Sequence, residues 1–106
     1  MSGITNKKIK LFSQTNNIRF KLKLFITGTT PNSVRAISNT KAFCDANMMD
    51  NYDLEIIDVY QEPELAAKEQ IIALPVLLKI EPLPVRRLIG DMSDLNKMFK
   101  GLGIEK

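Results

Sequence analysis

From residue 19 to residue 27 the chain alternates: Phe20, Leu22, Leu24 and Ile26 fall on one side, Lys21 and Lys23 on the other. A period of two marks a strand. Gly28 and Thr29 interrupt it. Thr30 then Pro31 forms a helix start, because the hydroxyl can cap a free N–H and proline has none to lose. Val34, Ile37, Cys44 and Met48 share one face of a helix predicted to run to about residue 49, before Asp50 and Asn51. Residues 54–60 read as a second strand, with Leu54, Ile56, Ile57 and Val59 available for burial on its two faces. Strand, long helix and strand predict a right-handed parallel βαβ unit.

Pro63 starts a short helix through about residue 69. Pro75 leads into a third strand over 76–80, and Pro82 and Pro84 make 81–84 a turn, since proline cannot donate in a central ladder. Residues 85–89 fit either a strand or a helix. Gly90 and Asp91 break the pattern again. Ser93 can cap a last helix over 94–100, with Leu95, Met98 and Phe99 on one side. The predicted order is βαβαββα, an α/β domain. Residues 1–18 are polar and basic and read as a weakly structured extension, although residues 9–12 could add a short strand. The domain itself is predicted over 19–106.

At 106 residues there is room for one core. Apolar residues at 44% and charged residues at 25% are the balance of a soluble globular protein. No apolar run approaches the roughly 20 residues of a membrane span. No secretory signal is legible at the N-terminus, so a cytoplasmic location is expected. The net charge of +3 is uneven: eight basic and no acidic residues precede Asp45, with twelve acidic and seven basic residues from there onward. A basic arm could meet nucleic acid, but only Phe12 and Phe20 supply aromatic stacking near it, so a solvated tail is the favoured reading.

The chain has no histidine and one cysteine, Cys44. That removes the commonest general base, the commonest metal ligand, every cysteine–histidine pair and any intramolecular disulfide. Cys44 is expected to be a buried structural thiol. The N–H groups of residues 28–30 could hold an anion, but no phosphate-loop or dinucleotide motif is present, so no cofactor and no metal are expected. Arg86 and Arg87 are the densest charge within the domain, readable as a cation-protected edge strand or as a partner surface. The composition favours a binding protein over an enzyme.

The βαβαββα order with a proline before the third strand resembles the thioredoxin-like fold. The TPNSVRA block at 30–36, Ile57-Asp58-Val59, Pro63-Glu64-Leu65-Ala66 and the run from Leu83 to Ser93 resemble the KaiB family of circadian clock proteins, over about residues 20–102. The resemblance implies a non-enzymatic adaptor that docks on the ring of a KaiC-like ATPase and modulates its phosphorylation or output. It also implies a sensor histidine kinase competing for the same site. A stand-alone protein is expected rather than that kinase. The alternatives are a stress-response interaction protein without a clock and a divergent thioredoxin-like oxidoreductase. Against the last, residues 28–31 occupy the turn where a thioredoxin carries its two thiols. The expected partner-binding residues are Arg35, Asp53, Glu55, Asp58, Lys79, Arg86 and Arg87. Pro75 is the expected cis proline.

Some members of the family switch folds. The resemblance therefore marks Pro82, Pro84, Gly90, Asp91, Gly101 and Gly103 as a switch region, and keeps open a tetrameric arrangement in which the C-terminal half is rebuilt. Local propensity favours the thioredoxin-like arrangement: Leu95 to Lys100 suit a helix, and Val85 and Ile89 a strand. Monomer or dimer is expected over tetramer. Two departures stand out. Asp53-Leu54-Glu55 lies where clock members resembling this chain have Ala-Leu-Lys, and Gly103 lies where the family commonly has Asp.

Overall fold

A computed structural model describes residues 18–71 and 74–105. The predicted tail and its candidate strand at 9–12 fall outside the described residues, apart from Ile18, which is exposed. The elements run β1 (Phe20–Ile26), α1 (Pro31–Asn47), β2 (Tyr52–Asp58), α2 (Pro63–Lys68), β3 (Val76–Glu81), β4 (Arg86–Ile89) and α3 (Leu95–Leu102). They form one four-stranded sheet in the order β2-β1-β3-β4. β1 pairs parallel with β2 and antiparallel with β3, and β4 closes the far edge antiparallel to β3. This is the α/β arrangement the alternation predicts. Residues 86–89 are strand and 95–102 helix, so the chain adopts the thioredoxin-like arrangement and not the rebuilt one.

Each face of the sheet has its own core. On one face Leu22, Leu24 and Ile26 of β1, Leu77 of β3 and Leu88 of β4 pack with Ala36, Phe43 and Cys44 of α1 and with Met98 and Leu102 of α3. Phe43 and Phe99 meet edge to face, with ring centroids 4.9 Å apart. On the other face Phe25, Ile57, Val76 and Leu78 pack with Leu65 and Ala66 of α2. β1 is thus buried on both sides, as the middle of a layered domain requires.

Two helices differ in detail from the sequence reading. α1 turns Ser33, Ala36, Thr40, Phe43 and Cys44 inward, and Val34, expected in the core, is 52% exposed. The reason lies at the helix start. The Ser33 hydroxyl accepts from the Thr27 N–H at 3.0 Å and from the Thr30 hydroxyl at 2.8 Å, which rotates the first turn so that Ser33 faces the sheet. The cap of α3 is Asp94, not Ser93: its carboxylate accepts from Lys97 N at 3.1 Å, while Ser93 N donates to Asp91 Oδ1. Starting there leaves Leu95 outside, 60% exposed. Two glycines fix the end of α3. Gly101 lies against Leu88, where a Cβ would come 2.2 Å from Leu88 Cδ2, so only hydrogen fits without displacement. Gly103 ends the helix at φ 72, its N–H donating to the Lys100 carbonyl while Ile104 N donates to the Phe99 carbonyl.

Candidate protein-interaction surface

The charged residues singled out in the sequence separate into four places. Arg35 extends from α1 and donates from Nε to Asp91 Oδ2 at 3.2 Å, with a second contact to Asn32 Oδ1. Asn39, one turn on, donates to the Asp91 carbonyl at 2.9 Å. Hydrogen bonds from Ser93, then from Arg35, hold the Asp91 carboxyl below its ordinary range. Arg35 and Asp91 therefore tie α1 to the loop before α3.

Asp58 ends β2 and is engaged within the fold. Its Oδ1 accepts from Gly28 N at 3.2 Å and Tyr60 N at 2.9 Å. That bond and the Thr27–Thr30–Ser33 hydroxyl cluster engage several N–H groups of the β1–α1 turn. Gly28 N bonds Asp58, Thr30 N reaches the Thr27 carbonyl at 3.4 Å, and Ser33 N bonds the Thr30 hydroxyl. Two of the three N–H groups of residues 28–30 are thus held within the fold, Gly28 N by Asp58 and Thr30 N by the Thr27 carbonyl.

The third place is the α2 face of the sheet. In register, Glu55 of β2 lies beside Lys23 of β1, which lies beside Leu78 of β3, which lies beside Arg87 of β4. One row along, Asp53 lies beside Lys21. α2 covers the apolar end of this face, and Lys21, Asp53 and Glu55 beyond it are exposed. Arg19 clamps the start of β2, with Nε 2.8 Å from Asp53 Oδ2 and Nη2 2.6 Å from Oδ1; Nη1 donates to the Asp50 carbonyl. This hydrogen bond lowers the Asp53 carboxyl below its ordinary pKa. Arg87 donates to the Glu69 carbonyl at 2.6 Å, holding its guanidinium beside α2. Lys21 and Lys23 were legible only as the polar side of a strand; the register makes them part of a charged surface with Glu55.

Arg86 points to the opposite face from its neighbour Arg87, as strand alternation demands. It lies beside Lys79, and these two make the fourth place. Lys79, expected on a partner surface, is only 4% exposed, because its stem packs on the α1/α3 face of the sheet. The adjacent arginines thus serve different faces.

Thiol chemistry has no footing. Cys44 is fully buried in α1, away from the turn, and burial followed by Asp45 pushes its thiol up to about 12. Among the described residues no group of three or more acidic or cysteine side chains could hold a metal ion, and no helix is long and apolar enough to cross a membrane. The Leu74–Pro75, Glu81–Pro82 and Leu83–Pro84 bonds are cis.

These features define a thioredoxin-like domain with hydroxyls where the dithiol of an oxidoreductase would be. Fasciola hepatica thioredoxin superposes with a TM-score of 0.66 at 17% identity, over 92% of this chain and 91% of its own, which establishes the fold alone. The N-terminal domain of Synechococcus elongatus SasA superposes with a TM-score of 0.66 at 26% identity, over 81% of this chain and 85% of its own. The KaiB domain model matches residues 23–104, and the chain belongs to the KaiB family. It is 47% identical over 83 residues to the circadian clock oscillator protein KaiB of Synechococcus elongatus, covering 78% of this chain and 81% of that one. To the KaiB of a Picosynechococcus strain it is 45% identical over 85 residues, covering 80% and 82%. The family consists of clock regulators rather than enzymes.

Proposed function

We propose that this chain is a cytoplasmic regulatory adaptor that binds a KaiC-like ATPase ring and modulates its phosphorylation state or output signalling. Family membership over residues 23–104 carries this reading. Likeness to the SasA N-terminal domain supports a second part, in which a sensor kinase with a domain of this shape competes for the same site. The docking surface on this reading is the exposed charged half of the α2 face, centred on Glu55 with Asp53, Lys23 and Arg87, while Arg35 and Asp58 position the elements behind it. A site that only binds fits what the turn contains, since Thr27, Thr30 and Ser33 hold one another and leave no activated nucleophile there.

The experiment is a titration of the full chain and of Glu55→Lys against a KaiC ring at two salt concentrations. Like charges facing each other across an interface oppose binding, and screening weakens charge contacts. Glu55→Lys is expected to improve affinity for a clock-type ring and to change the salt dependence. Binding that is the same for both proteins at both salts removes Glu55 from the interface. No binding to any ring by either protein overturns the adaptor reading.

A further inference from the structure

On the α1/α3 face, where β3 runs into its proline turn and α3 ends, lies a cavity of about 230 Å³. Lys79, Arg86 and Lys100 line it, and no acidic residue does. Lys79 and Arg86 are direct cross-strand neighbours, a placement in which like charges repel. Lys79 is 4% exposed, and among the described residues no hydrogen bond or ion pair holds its ammonium. Burial, then the nearby Arg86, keeps that ammonium below its ordinary pKa. The stem of Lys79 is buried while its ammonium reaches solvent, and a second cation directly beside it is unfavourable. An anion in the cavity offsets that repulsion with attraction to both cations.

We propose that this cavity binds an oxyanion of the phosphate class. Lys79 meets it from within as a compact point charge, Arg86 offers paired guanidinium N–H groups to two of its oxygens, and Lys100 closes the rim from the last turn of α3. Phe20, Leu83 and Pro84 on the wall leave room for a small apolar body, so the phosphate can be free or carried by an organic molecule. The site lies on the opposite side of the sheet from the Glu55 surface and is independent of the adaptor reading. Because the cavity joins the β3–β4 turn to the end of α3, an occupant stabilises these segments together by mass action.

The test is calorimetric and thermal titration of the full chain with inorganic phosphate and with phenyl phosphate, ionic strength held constant with chloride. Saturable binding and a rising melting temperature are expected. Lys79→Met should weaken binding at least tenfold and Arg86→Gln several-fold, and Arg87→Gln, on the other face, should leave it unchanged. Tighter binding of phenyl phosphate identifies an organic phosphate as the occupant, and equal or weaker binding identifies free phosphate. Arg86 and Lys100 are exposed, so Arg86→Gln and Lys100→Gln carry the test if Lys79→Met does not fold. A response no greater than that to chloride, or one that survives these substitutions, overturns the proposal.

Discussion

Thr40 is fully buried in the middle of α1, and its hydroxyl has no hydrogen-bond partner among the described residues. An unsatisfied buried polar group costs about 1–3 kcal/mol. Thr40→Val exchanges that hydroxyl for a methyl group, keeps the β-branched shape and leaves helix propensity nearly unchanged. The net effect should be a stabilisation of about 1–2 kcal/mol, after allowing for imperfect packing of the new methyl. In a domain of this size each kcal/mol moves the melting temperature by roughly 4–8 °C. Urea unfolding is the cleaner assay: the midpoint should rise with an unchanged slope, because the area exposed on unfolding is the same. Thr40→Ser, which keeps the hydroxyl and loses a methyl, should destabilise by about 1 kcal/mol. A Thr40→Val protein no more stable than the parent would refute the reasoning, since it would mean that the hydroxyl is satisfied in solution.

Gly103→Ala should cost about 1 kcal/mol, because a Cβ is strained at φ 72; Gly103→Asn should cost less, and equal stability of all three proteins would remove the cap from the account. Cys44, buried with its thiol pushed to about 12, should react with a disulfide reagent at neutral pH only as fast as the chain opens, so labelling should accelerate with denaturant in step with unfolding. Tyr52 donates to Asp45 at 2.6 Å, and this bond raises its pKa to about 12. The folded state then holds that proton more tightly than an unfolded tyrosine near pH 10. Its contribution is complete below pH 10 and lost as pH rises toward 12. Tyr52→Phe should flatten that part of the stability profile, and an unchanged slope would remove the bond from the account. At the acid end Asp91, held low by Ser93 and Arg35, contributes above about pH 4 and is lost as pH falls through its folded value. Asp91→Asn should reduce that acid-side slope, as measured by unfolding at a series of pH values.

The strands were readable because alternation and proline placement are local signals. Phe20 to Ile26 and the apolar run after Pro75 declare themselves within a few residues. What the pattern missed depends on contacts distant in sequence. Hydropathy selects Val34 for the inner face of α1, but the hydroxyl at Ser33 is bonded to Thr27 and Thr30, and that bond sets the rotation of the helix. The pattern of residues 85–89 fits two secondary structures and propensity only leans to strand; pairing of Arg86–Ile89 with β3 decides it, since the ladder satisfies the backbone groups. The candidate surface was less legible still. Glu55 could be suspected from its charge, but its place beside Lys23, in one row with Leu78 and Arg87, follows from register alone. Nothing local marks Lys79 as interior; only the layering of α1 and α3 over the sheet puts it there.

The hydroxyl cluster at the β1–α1 turn has a consequence for how the protein experiences its surroundings. Where a thioredoxin would exchange electrons, Thr27, Thr30 and Ser33 share only protons in hydrogen bonds, and the chain's single sulfhydryl is sealed inside α1. Thiol oxidation and reduction therefore find no accessible sulfhydryl in the folded domain. As the ratio of oxidised to reduced thiols swings with metabolism, that change has no thiol at this turn to act on. On the proposed adaptor reading, the input to this domain is contact with another molecule and not exchange with its thiol.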